Sequence, residues 1–259
     1  MRIQLLSDLH LETEAFAAQP APEAEVLVLA GDIDATWAGL SQFADWPVPV
    51  LMVAGNHEFD GRDIAEAWRD LRARCESLNI RLLEQEALVL QGDDGRRVRF
   101  LGTVRWSDFD LFGAAQRERA MRAAGYFMRV QRSTIDGGQP FDAAAVRVAG
   151  LACRQWLEQA LQTPAGADWD ATVVVTHFAP SIKSADVRFG KQPGTASFCN
   201  ADDDLVVRAD LWLHGHLHCR HDYAIDRAGQ RPARVVCQAR GLAHKNEHLG
   251  HDPMRVLTA

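Results

Sequence analysis

Val26-Leu27-Val28-Leu29-Ala30-Gly31-Asp32 is the stretch from which the rest of the chain can be read. Five apolar residues end in a glycine and a carboxylate. That is the pattern of a strand buried on both faces that delivers a polar side chain at its carboxyl end. The pattern recurs on either side. Ile3-Gln4-Leu5-Leu6 leads to Asp8-Leu9-His10, and Val50-Leu51-Met52-Val53 leads to Gly55-Asn56-His57-Glu58. Val173-Val174-Val175-Thr176 leads to His177, and Leu211-Trp212-Leu213-His214 leads to Gly215-His216-Leu217-His218. In open α/β sheets ligands gather outside the carboxyl ends of strands. Five endings of one kind therefore predict one shared site.

The segments between these strands complete an α/β fold. Residues 36–46 read as a short helix closed by Pro47, and residues 61–78 as an amphipathic helix carrying Ile64, Trp68, Leu71, Cys75 and Leu78. Strands at 80–90 and 97–104 flank Gly92-Asp93-Asp94-Gly95, a hairpin signal. Helices are predicted over 113–132 and 141–162, separated by a break at Gly137-Gly138-Gln139-Pro140. Strands follow at 171–176, 210–214, 220–226 and 233–238. Buried parallel-type strands mixed with hairpins favour two sheets flanked by helices over one doubly wound sheet. The 259 residues suit a single domain spanning 1–259. A helical cap insertion is expected at about 105–162.

Bulk properties narrow the function. A net charge of −7 argues against a broad nucleic-acid-binding face. It leaves room for a phosphate-bearing substrate, because bound dications invert the local field. No stretch approaches the roughly 20 apolar residues of a membrane span, so no membrane partner is expected. Met1-Arg2-Ile3-Gln4 runs directly into the first predicted strand, so no signal peptide is expected. Five cysteines without a CxxC spacing fit a reduced compartment. The expectation is a cytoplasmic protein.

Asp, His and Asn suit a hard-to-borderline metal such as Mn, Fe or Zn. Asp8 and His10 stand two residues apart, so an extended segment points both to one side. His216 and His218 repeat the arrangement. Asp8, His10, Asp32, Asn56, His177, His216 and His218 make seven ligands. One catalytic metal usually takes three or four, whereas two metals sharing a carboxylate would use them all.

Asp8-x-His10, Gly31-Asp32, Gly55-Asn56-His57-Glu58, His177 and Gly215-His216-x-His218, in this order, resemble the calcineurin-like metallophosphoesterase superfamily. The resemblance covers residues 8 to 218. It implies a four-layer α/β/β/α sandwich, two mixed β-sheets packed face to face with helices outside, and two divalent or trivalent metal ions at its centre. Asp8, His10, Asp32 and His218 would hold the first ion. Asp32 would bridge to a second held by Asn56, His177 and His216, and His57 would be the catalytic acid. Many relatives carry two adjacent histidines where this chain has His177-Phe178, a change expected in the pocket wall rather than at the metals. Thr103–Asp108 also resembles a bacterial branch whose substrates are often unassigned. Cys237-Gln238-Ala239-Arg240-Gly241 resembles that branch's terminal Asn-Pro-Arg-Gly segment but keeps only Arg-Gly.

The expected activity is metal-dependent hydrolysis of a small phosphomonoester or phosphodiester. A hydroxide bridging two cations would attack phosphorus in line, and His57 would protonate the leaving oxygen, oriented by Asp34 or Glu58. A non-catalytic phospho-ligand-binding module is the rival from another class, and it has no use for His57. A nuclease is disfavoured by the acidic charge and the lack of a basic or aromatic strand-binding tract, so nucleic acid enters only as a small nucleotide. Arg105 and Arg240 are candidate substrate contacts, with a structural salt bridge equally open for Arg240. Asp108 is expected at the pocket mouth. Trp106, Phe109 and Phe112 offer either a stacking surface or core, and part of 105–140 is expected to wall the metal centre. His214 is expected to be packed, and His221, His244, His248 and His251 to form a solvated tail.

Overall fold

The computed structural model describes residues 1–166 and 168–259. Three parallel strands, β1 (Arg2–Leu6), β2 (Val26–Ala30) and β3 (Val50–Val53), begin the first sheet. Helix α1 (Ile64–Ser77) then returns the chain to β4 (Ile80–Leu82), parallel to β3. The start of α1 is fixed by Asp63, whose carboxylate accepts from the Ala65 and Glu66 amides. The second sheet starts with the hairpin of β5 (Glu86–Gln91) and β6 (Arg97–Gly102). Helix α2 (Arg117–Gln131), the two-residue strands β7 (Thr134–Ile135) and β8 (Gln139–Pro140), and α3 (Ala143–Ala160) follow. The chain closes with β9 (Ala171–Val175), the short α4 (Asp203–Val206), β10 (Leu211–His214), β11 (Arg220–Ile225), β12 (Ala233–Gln238) and β13 (Val256–Thr258).

The spatial orders are β13-β1-β2-β3-β4 and β11-β12-β10-β9-β6-β5. Both sheets are mixed: β13 is the one antiparallel strand at an edge of the first, and β11 and β5 are antiparallel at the two edges of the second. Period-2 alternation sorts the side chains into layers. Ile3, Leu5, Val26 and Val28 from one sheet meet Phe100, Val173, Val175 and Leu213 from the other. On the outer side of the first sheet Leu27, Leu29 and Met52 pack with Leu71 and Cys75 of α1. Outside the second, Leu101, Val174 and Trp212 pack with Leu157 of α3 and Leu205 of α4. Helix, sheet, sheet and helix make the expected four layers. Each fully buried Val or Leu contributes roughly 1.5–3 kcal/mol.

Some boundaries differ from expectation. The 80–90 run is two strands in different sheets, with Glu84 and Gln85 crossing between them and Gln85 at a left-handed φ of 52°. The 36–46 helix is a short 3-10 turn, Ala38–Phe43, entered through Trp37 at φ 65°. Its entry is set by Asp34, whose carboxylate accepts from Thr36 and Gly39. The Gly137-Gly138 break is the turn of the β7–β8 hairpin, and β13 is an edge strand that periodicity over three residues cannot show. Among the described residues no helix is long and apolar enough to cross a membrane.

Candidate active site

The parallel strands β1, β2, β3, β9, β10 and β12 all end at one edge, where a bridge between Ser7 and Ala239 links the two sheets. Asp8 and His10 follow β1, Asp32 follows β2, Asn56 and His57 follow β3, His177 follows β9, and His216 and His218 follow β10. These loops turn sharply. Asp8, His10, Asp32, His216 and His218 all have φ between 47° and 74°. Non-glycine residues take up this region rarely, and such strain concentrates at functional sites. Gly31 allows the β2 loop to close, with φ of 85° and His177 Nδ1 only 2.3 Å from where a Cβ would stand. At Gly55 a Cβ would lie 2.2 Å from Asp32 Oδ1.

Two groups of ligand atoms result, Asp8, His10 and His218, and Asp32, His177 and His216, each within 4.8 Å internally. Asp32 lies between them, with Oδ2 3.1 Å from His177 Nε2 and 4.0 Å from His10 Nε2. Asn56 reaches the second group, its Oδ1 3.2 Å from His177 Nε2. Six of the seven predicted ligands thus fall in these two groups, and the seventh touches the second.

Each histidine is held by its other nitrogen. His10 Nδ1 is 2.9 Å from Glu12, and His218 Nδ1 is 2.7 Å from Glu247. His177 Nδ1 donates to the Ala30 carbonyl at 2.9 Å, and His216 Nε2 to the Ser197 carbonyl at 3.2 Å. Such outer partners fix ring orientation and tautomer. Their consequence here is specific. The Nε2 atoms of His10 and His218 face one another 3.0 Å apart, both with the proton-bearing nitrogen turned away. His177 Nε2, Asp32 Oδ2 and Asn56 Oδ1 likewise converge, and a cation there would replace the proton that His177 Nε2 shares with Asp32. Converging lone pairs call for a cation, and the donor set is one that Mn, Fe or Zn accepts.

The same field acts on protons. Burial lowers the His177 pKa, but the Asp32 charge and hydrogen bond outweigh it and push it to about 9. Burial also works against His57, yet Asp32 and the Asp60 hydrogen bond raise its pKa to about 10. Asp32 itself, despite desolvation, is held well below the usual carboxylate range by His177 and His57.

His57 sits beside the two groups, its backbone N–H donating to Asp32 Oδ1 at 2.8 Å and its ring lining the cavity above. Its orienting partner is Asp60, 2.6 Å from Nδ1. Neither Asp34 nor Glu58 fills that role. Asp34 accepts within its own turn, and Glu58 is fully buried, tying the two loops through the amides of Asp32, Ile33 and Gly55.

The expected arginine contacts are elsewhere. Arg105 is 0% exposed, and its five N–H groups go to Asp202 (twice), Asp108 and the carbonyls of Trp106 and Gly150. No donor remains for a ligand, and Asp108, as its partner, is drawn into the interior rather than to the pocket mouth. Arg240 is buried, with its guanidinium 2.9 Å from Glu14 and lying over the Phe16 ring. Of the three candidate aromatics, Phe109 is buried, Phe112 packs against the core, and Trp106 is wedged between Phe59, Phe141 and Phe178. His214 is buried and neutral, its pKa lowered by burial to about 3.

A cavity of about 850 Å³ opens over the two groups, with His10, Asp32, Asn56, His57, His216 and His218 at its floor. Helix α2 forms one wall with Tyr126, Phe127 and Val130, while Phe189, Pro193 and Phe198 form the other. Phe178, where many relatives have a second histidine, stacks on His216 with centroids 4.1 Å apart. Of the expected 105–162 cap, α2 walls the cavity and α3 belongs to the outer layer of the second sheet. Glu12, Asp60, Glu247 and Phe198 were not anticipated. Glu12 and Asp60 lie two and three residues from the histidines they hold, a spacing that could have flagged them.

Residues 1–220 match the family model described as calcineurin-like phosphoesterase, and the chain belongs to that family. The structure is similar to phosphopantetheinyl hydrolase from Mycobacterium tuberculosis, with TM-score 0.69 and 18% identity over 96% of this chain and 92% of that one. This identity shows a shared fold. A dimetal phosphatase from Danio rerio matches with TM-score 0.49 and 13% identity over 91% and 86% of the two chains. No curated protein matches the chain at a significant level.

Proposed function

We propose that this calcineurin-like phosphoesterase hydrolyses a small phosphomonoester or phosphodiester at a dinuclear metal centre. Family membership supports the reaction class, a hydrolase of the metallophosphoesterase type. The observation that carries the dinuclear reading is the convergence of acceptor atoms in two adjacent groups with Asp32 between them.

Asp8, His10, Asp32 and His218 would hold one cation, and Asp32, Asn56, His177 and His216 the other, both within the single domain. Bound there, such cations would supply Lewis-acid activation of water and charge neutralisation at the phosphoryl group. The chain's own groups do the rest. Glu12, Glu247, Ala30 and Ser197 hold the ligand rings by their far nitrogens, so the lone pairs are aimed before any ion arrives. Glu58 fixes the spacing of the Asp32 and Asn56 loops. His57 stands at the cavity floor to give its Nε2 proton to the leaving oxygen, and Asp60, 2.6 Å from Nδ1, holds the ring orientation for that transfer.

The test is a metal titration of chelator-treated protein, with Mn²⁺, Fe²⁺ or Zn²⁺ added back. p-Nitrophenyl phosphate, bis(p-nitrophenyl) phosphate and a phosphopantetheinyl diester, the ester type suggested by the name of the M. tuberculosis protein, form the first panel. Two equivalents of bound metal with activity rising to the second equivalent is the expected result. Binding of a single equivalent at saturation would overturn the dinuclear reading, and metal-replete protein inert toward every ester would overturn the enzymatic one.

A further inference from the structure

Above its polar floor the cavity is apolar. Tyr126, Val130 and Phe189 are 63%, 58% and 67% exposed, and Phe127 is 39% exposed. Single exposed hydrophobics are ordinary, but four around one mouth make a patch of the kind that marks ligand grooves. An amphipathic helix normally turns its large apolar residues to the core. Helix α2 packs Ala120 and Ala124, flanked by the half-buried Met121 and Met128, against the core, yet still presents Tyr126, Phe127 and Val130 to the cavity. The rings connect in sequence. Tyr126 meets Phe127 at 5.6 Å, Phe127 meets Phe198 at 5.3 Å, and Phe198 meets His216 at 5.1 Å. An apolar track therefore runs from the rim to a residue of the floor. Arg119, on α2 and lining the same cavity, forms no ion pair among the described residues.

At about 850 Å³ the space lies near the top of the range for small-molecule sites, roughly 300–1,000 Å³. A phosphoryl group alone would leave most of it empty. We infer that the trench selects phosphoesters whose alcohol carries a bulky apolar body, seated against Tyr126, Phe127, Phe189 and Phe198 while the phosphoryl group lies on the floor. This rests on the hydrolase reading above. The occupant is a small molecule because the trench is continuous with the floor and His57 lines it. Any organic group on the leaving oxygen must therefore extend between these walls.

Straight-chain alkyl phosphates, methyl, butyl and octyl, test this on the Mn²⁺-loaded protein, since their leaving alcohols differ little in acidity. The expected result is a rise in kcat/KM of about fourfold per buried methylene until the trench is filled. Phe127→Ala should lower the octyl-to-methyl ratio about tenfold. Binding of octylphosphonate, which is not hydrolysed, should show a negative heat-capacity change by calorimetry. Turnover of methyl phosphate with no chain-length dependence overturns the inference and leaves the hydrolase reading standing, as expected if the patch is a docking face for another protein. Octylphosphonate bound more tightly than methylphosphonate, with no ester of any length hydrolysed, sustains the apolar trench and overturns the hydrolase reading.

Discussion

Removing the Arg105 guanidinium separates a structural role from a catalytic one. All five of its N–H donors are taken, with distances of 2.7 to 3.0 Å to Asp202, Asp108, Trp106 and Gly150. Its pKa is raised by Asp202 and Asp108 despite the opposing effect of burial, so it stays charged. In Arg105→Ala, Asp202 and Asp108 remain in the interior, 0% and 6% exposed at the side chain, without the cation between them. Arg154 still reaches Asp202 at 2.5 Å, but Asp108 keeps no comparable partner. Breaking a buried pair from one side costs about 3–5 kcal/mol, a large share of the roughly 5–15 kcal/mol that holds a domain folded. At roughly 2–4 °C per kcal/mol for a chain of this size, the melting temperature should fall on the order of 10 °C. Arg105→Lys should lose less, because it keeps the charge but offers three donors where five are used. Urea unfolding followed by tryptophan fluorescence measures the loss, and kcat/KM per folded molecule measures what remains of the site. A variant as stable as the parent but with a raised KM for small esters would refute the reasoning and return Arg105 to the substrate.

The remaining expectations concern the floor and one isolated carboxyl. Asp32→Ala should abolish turnover and reduce bound metal below two equivalents. Two full equivalents by elemental analysis would remove Asp32 from the bridging position. His57→Ala should retain its metals and lose roughly 100- to 10,000-fold in kcat, with a smaller loss for p-nitrophenyl than for alkyl esters. Equal losses on both would leave His57 a positioning group, and Asp60→Asn should reproduce the same leaving-group dependence in milder form. Glu84 has its pKa raised by burial to about 7, with hydrogen bonds from Val104 and Thr103 only partly offsetting this. Its folded form binds a proton more tightly than the unfolded chain does, so the Glu84 contribution to stability is fully present below about pH 4.5 and is lost as pH rises through 7. A shift of this size corresponds to about 3 kcal/mol, trimmed by solvent screening of a half-buried group to about 1–2 kcal/mol. Glu84→Gln should flatten that part of the stability profile, and an unchanged slope in urea melts between pH 5 and 8 would contradict the assignment.

The convergence of the candidate ligands was legible because each follows an apolar run, and parallel strands that share a sheet must end at a common edge. Asp8, Asp32, Asn56 and His177 are carried there by β1, β2, β3 and β9 with no information beyond the run and its terminus. Arg105 follows a strand end in the same way, and the same rule misplaced it. Its partner Asp202 lies 97 residues away, and only the tertiary arrangement decides whether a cation at a sheet edge points to solvent or is closed over. The walls were hidden for a related reason. Tyr126, Phe127 and Val130 have the three- and four-residue spacing of a core-facing stripe, and in α2 that stripe faces the cavity. Periodicity tells that a face is apolar but not whether protein or ligand covers it. The distinguishing feature was already present in the composition of the helix. Its core-facing side holds Ala120 and Ala124 with Met121 and Met128 beside them, and the alanines let α2 sit close to the body of the fold. With its contacts to the fold made by Ala120, Ala124, Met121 and Met128, α2 leaves Tyr126, Phe127 and Val130 for whatever the cavity binds.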